Sequence, residues 1–495
     1  LDPSREEDRI AYSRKVLEKY YAKTTAAARK HNPEMPIFHN SGHITVGDTG
    51  ILKYFSHLEL ESLPTGGWGY DHYPMSAAYS RNLGKDFLGM TGKFHTTWGE
   101  FGGIKHPNAL RYECASMLAN GSKCSIGDQL HPDGELDKST YELIGKAYSE
   151  VEKKEPWCDH VKSLAQVAIL DAAAITRKRE MPGDVGAGRL LLEGHIPFDV
   201  VDTEMEFERY KVLLLPDEVR LDAALKTKLE HFLAQGGKLI LSGDSGMAAD
   251  SDEFALPVPF TGTEKSPFFP DYIEAAPECA PEFAKTPFVM YLPSRRIKVR
   301  KGAESLGRIY DPYFNRDFRH FCSHQHTPYR PEASGFDAGA MDGRILYFAH
   351  PVFSIYRGYG MVYLQQFVLA AIRRFLGAEL QVKAGNLPTT ARVSLLEQTA
   401  ENRAIFHLLY ANTINRGGAG IRVPESPFAL SRPIEVVEEL IPLFNVEADV
   451  KLDRPVKSVR LVPQEKDLPF EMKDGRIRFT VPELLCHQMV ELTYR

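Results

Sequence analysis

Cysteine is sparse in this sequence and never clustered. The six cysteines, at positions 114, 124, 158, 279, 322 and 486 of 495 residues, include no CxxC pair. That excludes a zinc ribbon and a thioredoxin-type redox motif, and scattered free thiols suit a reducing compartment. No apolar run reaches the roughly 18 residues of a membrane-spanning helix. Basic stripes are missing as well. Lys and Arg number 60 against 66 Asp and Glu, for a formal net charge of -6, so there is no electrostatic case for a nucleic-acid partner. His95, His106 and His131 show neither HxH nor HExxH spacing among them, which argues against a zinc site at these histidines. The start carries no initiator Met, signal peptide or targeting motif. Tryptophan is the rarest residue of all, with three in the chain.

The rest of the composition is that of a globular protein, 43% hydrophobic and 25% charged. The length predicts two to four domains. Residues 1–158 alternate helix and strand. An opening helix, with Asp2 as cap and Pro3 in its first turn, brings Ile10, Val16, Leu17, Tyr20 and Tyr21 near one face. Strands are expected at 35–42, 54–63, 86–98 and 122–130, and helices at 75–84, 108–121 and 137–157, the last capped by Asp137. This alternation predicts a parallel sheet. Four strands are too few for a (β/α)₈ barrel of about 250 residues. The expectation is the C-terminal half of such a barrel, with a smaller open α/β sheet as the alternative. Residues 159–377 repeat the alternation as a flavodoxin-like sheet, interrupted by an irregular stretch from 250 to 340. Residues 378–495 break into short alternating runs between turn residues, the pattern of an antiparallel β-sandwich.

Polar and aromatic residues gather where the first region's strands end, the place where parallel sheets carry chemistry. The 35–42 strand ends near His39 and Asn40. In HLELES, alternation puts His57, Glu59 and Glu61 on one face. Two carboxylates on a covered face need partners or a function; on an open face they need neither. The loop GGWGYDHYP supplies Trp68, Tyr70 and His72 among glycines that let a ligand approach the backbone. GKFHTTWGEFGG supplies His95, Trp98 and Glu100. Glu100 is a candidate catalytic carboxylate, a substrate contact, or a plain loop carboxylate that caps a turn or the helix beginning near residue 108, or faces solvent. Asp128 closes the last strand. In the middle region, which resembles class I glutamine amidotransferase domains, the turn SGDSG offers no cysteine nucleophile. Ser245 fits a nucleophile elbow on one side only, so this region is read as catalytically silent.

The segments FSHLELESLPTGGWGYDHYP, GMTGKFHTTWGEFGG and DPYFNRDFRHFCSHQHTP are similar to those of the hypothetical glycosyl hydrolase 6 group, which includes the α-L-fucosidases of glycoside hydrolase family 151. The three-region layout resembles family 42 β-galactosidases. The resemblance implies a retaining glycoside hydrolase, α-L-fucosidase first and a β-galactosidase-like exo-glycosidase second. It implies a glycoside or oligosaccharide substrate, no cofactor, no metal, and a homotrimer or higher homo-oligomer built on the middle region. Glu100, Glu59 and Glu61 are its candidate catalytic acids. His39, Asn40, His57, Trp68, Tyr70, His72, His95, Trp98 and Asp128 are its candidate sugar contacts. Thr91 falls near the position of the family 42 nucleophile, so Glu100 is taken as the substitute. The family's general acid lies far upstream of the nucleophile, which places its counterpart outside this sequence unless Glu59 or Glu61 serves as the second catalytic group. The rival from another class is a non-catalytic carbohydrate-binding or scaffold protein.

Overall fold

A computed structural model describes residues 2–40, 44–176, 178, 181–417 and 434–495. The protein is a mixed α/β molecule with several sheets, packed as two compact units. One unit joins residues 1–164 to 382–495, and the other holds 165–381.

In the first unit, β1 (Leu58–Glu61), β2 (Phe87–Gly92) and β3 (Lys123–Gly127) form a parallel sheet in that order. Parallel neighbours need crossovers. The chain supplies them as α2 (His72–Ser80) and α3 (Pro107–Ala119), after the opening α1 (Glu6–Ala28). The next helix, α4 (Lys138–Lys154), is fixed at its start by Asp137, whose carboxylate accepts the amides of Ser139 and Thr140. Leu58 and Leu60 are fully buried while Glu59 and Glu61 stay half-exposed, the alternation expected of HLELES.

Three local expectations are corrected. No strand forms through residues 35–40, and 41–42 lie outside the described residues. Ile37 bonds back to Ser56, but its amide goes to the serine hydroxyl instead of a backbone carbonyl, so no ladder starts. The helix expected from 75 begins at His72, because the chain has already turned through Pro64–Gly66. On α1 the buried residues are Tyr21 and Thr25, while Tyr12, Val16, Leu17 and Tyr20 face solvent. Its packing is concentrated near its C-terminal end, where Tyr21 meets His39, Tyr54 and Phe55.

The C-terminal part of this unit is built mainly on two antiparallel sheets. One orders Val382–Ala384, Leu443–Lys451, Arg476–Leu484 and Phe470–Lys473. The other has six strands, among them Val456–Val462, His487–Tyr494, Arg403–Leu409 and Arg392–Gln398, and its edge is β4 (Lys162–Ser163), from the N-terminal part. Phe406, Val450, Ile477 and Val490 share the core between them. A second core joins Leu110, Cys114, Ile144 and Val151 of α3 and α4 to Ile405 and Met489.

The other unit has five parallel strands. β5 (Val167–Leu170), β6 (Phe198–Val201), β7 (Val212–Leu215), β8 (Lys238–Ser242) and Ile345–Phe348 lie in the order 2-1-3-4-5, an order common among doubly wound sheets. Nearly every residue of these strands is buried, as sheets covered on both faces require. The 250–340 stretch is less irregular than expected: Asp271–Ala275 pairs with Phe288–Met290 and Gly307–Tyr310. Strands of three to five residues are too short to print an alternation in the sequence. Ser245 is fully buried and its hydroxyl accepts the Val219 amide, so it presents no nucleophile to solvent.

Candidate active site at the strand ends

The loops that follow β1, β2 and β3 meet one another. After β1 the chain turns through Ser62 and Pro64–Gly66 and reaches His72 at the start of α2. His72 Nδ1 lies 3.2 Å from the Ser62 hydroxyl, and the Trp68 indole stands edge-on to the His72 ring at 4.8 Å. Gly66 backs directly onto the loop after β2. A Cβ there would fall 2.6 Å from the Thr96 carbonyl oxygen, so only glycine allows the approach.

Phe94, in the loop after β2, is buried and holds Trp98 edge-on at 5.3 Å. The Trp98 ring lies over Gly127 at the end of β3, in space any side chain would take. Trp98 is 40% exposed, which leaves part of its ring open to solvent. The Glu100 carboxylate accepts the Thr96 amide at 2.8 Å and closes the loop on itself. Asp128, just after β3, faces Lys93 at 3.7 Å with both side chains almost buried. Trp68, His72, Trp98, Glu100, Asp128 and Lys93 thus all belong to adjoining strand-end loops.

A buried hub lies beneath them. Glu113 of α3 accepts the Thr91 hydroxyl at 2.6 Å, the Lys105 ammonium at 2.8 Å and the Tyr70 hydroxyl at 3.2 Å. Lys105 also reaches the Thr91 hydroxyl at 2.8 Å. Tyr70 is therefore turned inward, and burial together with the Glu113 charge pushes its phenol well above the ordinary range. On β1, burial raises the pKa of both Glu59 and Glu61. His57 stands 3.6 Å from Glu59 and partly offsets the effect there. His39 is engaged elsewhere, bonded to the Thr25 hydroxyl at 3.0 Å and packed on Tyr21, and burial lowers its pKa. Asn40 is exposed and His95 half-buried.

Sequence reasoning missed Lys93, Lys105 and Glu113. Lys93 directly follows the strand-end glycine of GKFH and was readable as a strand-end polar residue. Burial of Lys105 against Glu113 leaves no mark in the sequence. Among the described residues no His, Cys, Asp and Glu cluster has metal-binding geometry.

The α-L-fucosidase isoenzyme 2 of Paenibacillus thiaminolyticus is 45% identical to this chain and superposes with a TM-score of 0.93, over 100% of this chain and 74% of that one. The chain belongs to the family of that enzyme. It is a glycoside hydrolase, of the group that the segments around Trp68 and Trp98 resemble. Residues 189–260 match the model of the β-galactosidase trimerisation domain. The GH42 β-galactosidase Gan42B of G. stearothermophilus is 14% identical with a TM-score of 0.62, over 99% of this chain and 68% of its own. The β-galactosidase of Bacillus circulans sp. alkalophilus is 13% identical with a TM-score of 0.59, over 94% and 64%. These two share the fold. No curated protein sequence matches the chain.

Proposed function

We propose that this glycoside hydrolase releases terminal α-L-fucosyl residues by a retaining double displacement. The observation that carries the reading is the likeness, along the whole chain, to an α-L-fucosidase. Adjoining aromatic and acidic side chains at three parallel strand ends support it. In this reading residues 1–158 are the C-terminal half of a (β/α)₈ barrel, 159–377 an amidotransferase-like domain that assembles homotrimers, and 378–495 a β-sandwich. The match to a trimerisation domain supports the assembly.

Retention requires two carboxyl groups in distinct states, one ionised to attack and one protonated to donate. Glu100 is assigned as nucleophile. It attacks the anomeric carbon while Glu61 protonates the departing glycosidic oxygen. Water, deprotonated by Glu61, then releases the sugar from Glu100. Glu61 suits the donor role because it is the last residue of β1 and burial raises its pKa, which favours the protonated form. Glu59, beside His57, is a pocket acid. Trp68 and Trp98 are assigned as stacking surfaces. His72, His95 and Asp128 are assigned as partners of sugar hydroxyls, with Lys93 orienting Asp128. Asn40 and His57 are assigned to the pocket's edge, while His39, engaged by Thr25, and Tyr70, turned to Glu113, are assigned supporting roles without sugar contact.

The test is hydrolysis of p-nitrophenyl glycosides, α-L-fucoside and β-D-galactoside included, by the full-length protein and its Glu100→Gln and Glu61→Gln variants. Glu100→Gln is expected to reduce fucoside turnover by several orders of magnitude. Glu61→Gln is expected to lose the alkaline limb of the pH–rate profile, since a general acid fails as pH rises through its pKa. Its loss should be smallest for leaving groups that need no protonation. Full activity of Glu100→Gln would reduce Glu100 to the loop-closing role that its bond to Thr96 already performs. Folded protein inactive on every glycoside would favour a sugar-binding scaffold.

A further inference from the structure

The loop that presents Trp68 and His72 is gripped by the C-terminal part of the chain. Glu435 lies in the strand Ile434–Val436, which pairs antiparallel with Ile414–Arg416. Its carboxylate accepts the backbone amide of Tyr70 at 3.2 Å. The preceding Gly69 has φ of 78°, a left-handed conformation, and a Cβ there would meet that same carboxylate at 3.6 Å. One residue on, Asp71 is nearly buried and pairs with Arg392 at 3.1 Å. Consecutive residues, Tyr70 and Asp71, are thus held by an acid and a base that lie more than 300 positions away. The Tyr70 hydroxyl is pinned from the other side by Glu113.

The mount that carries Glu435 is itself anchored. Val437 is fully buried against Ala109, Tyr112 and Leu409, and the Glu438 carbonyl accepts the Asn108 side chain at 2.7 Å. A half-buried carboxylate spent on one backbone amide, next to a glycine in a left-handed conformation, fixes the path of that loop. Trp68 lies two residues before the amide and His72 two residues after it.

We propose that Glu435, assisted by Arg392, is a positioning residue for substrate: it sets the loop 66–72 in the conformation that offers Trp68 and His72 to the sugar. The inference rests on the reading of that loop as part of the sugar pocket. In this role Glu435 acts through the Tyr70 amide and not on the sugar itself. Its effect should therefore fall on binding, with the chemical step largely spared.

Two readouts test this in the full-length protein, amide hydrogen exchange of the peptide containing Tyr70 and steady-state kinetics on whichever glycoside the wild type cleaves. Glu435→Ala is expected to speed exchange of the Tyr70 amide and raise KM about tenfold, the scale of one lost charge-assisted bond, with kcat within about threefold. Glu435→Gln keeps an acceptor oxygen and should restore both. Exchange unchanged in Glu435→Ala overturns the proposal. So does faster exchange with KM unmoved, since the contact would then serve the fold alone. Either failure, seen in a protein whose wild type cleaves a glycoside, is separate from failure of the functional reading, in which the wild type cleaves none.

Discussion

His407 and His487 form a stacked pair inside the C-terminal sheets, with ring planes 9° apart and Nδ1 to Nε2 at 3.1 Å. Both are buried, and Lys154 stands near them. Burial first, and then the lysine charge, lowers both pKa values, that of His407 to about 3. The folded protein refuses a proton that the unfolded chain accepts near pH 6.5. Stability is therefore intact above that pH and falls as pH drops towards the folded value. By pH 5, His407 alone should cost about 2 kcal/mol, at about 1.4 kcal/mol per pH unit. A melting temperature that declines between pH 6.5 and 5, before most carboxylates titrate, is the expected result. A flat profile across that window would remove the pair as an acid-labile element. The Lys105–Glu113 pair makes a second prediction. Both side chains are nearly inaccessible, so Glu113→Ala strands a buried ammonium and should cost about 3–5 kcal/mol, measurable by denaturant unfolding. Removing both charges together should cost less. Neither pair was legible in the sequence. His407 and His487 are 80 positions apart, and each sits in an alternating run that reads as an ordinary strand.

Elements were read more readily than their partners. β1 to β3 and their crossover helices follow from apolar runs and glycine stops, and Asp137 was visible as a cap because its side chain acts on amides two and three residues on. Asp137→Ala should lower stability by about 1 kcal/mol through fraying of α4, seen as a small shift in thermal unfolding. The failures were of context. The run at 35–40 has strand composition but finds a hydroxyl where a ladder needs a carbonyl. The face of α1 has helical spacing, yet much of it faces solvent. Periodicity states which side of an element is apolar, and only the fold states whether anything covers it. The strand-end clusters were legible for the same reason the strands were. What could not be read was that Tyr70 would turn to Glu113, away from solvent.

At the scale of the molecule, continuity in sequence and continuity in space part company. The unit of residues 165–381 is a single uninterrupted stretch, whereas the other is assembled from both ends of the chain. Residues 165–381 produced alone should give one cooperative thermal transition by circular dichroism. Residues 1–164 produced alone should not. Leu110, Ile144 and Val151 would lose Ile405 and Met489, and β4 would lose the sheet it edges. The Trp157 indole would lose the Glu491 carboxylate it binds at 2.8 Å. A cooperative transition in that fragment would show the first three strands to be self-sufficient. The edge position of β4 also has a temporal meaning. Its neighbour Arg392–Gln398 is translated more than 200 residues after it, and an entire separate unit comes between. At 5–20 residues per second of synthesis, the strand-end loops wait roughly 15–65 s before the sheet that steadies them, completed by His487–Tyr494, exists. During that interval Leu110, Cys114 and Ile144 have no lasting cover. The nascent chain, more than the finished enzyme, is where this protein would most need protection from aggregation.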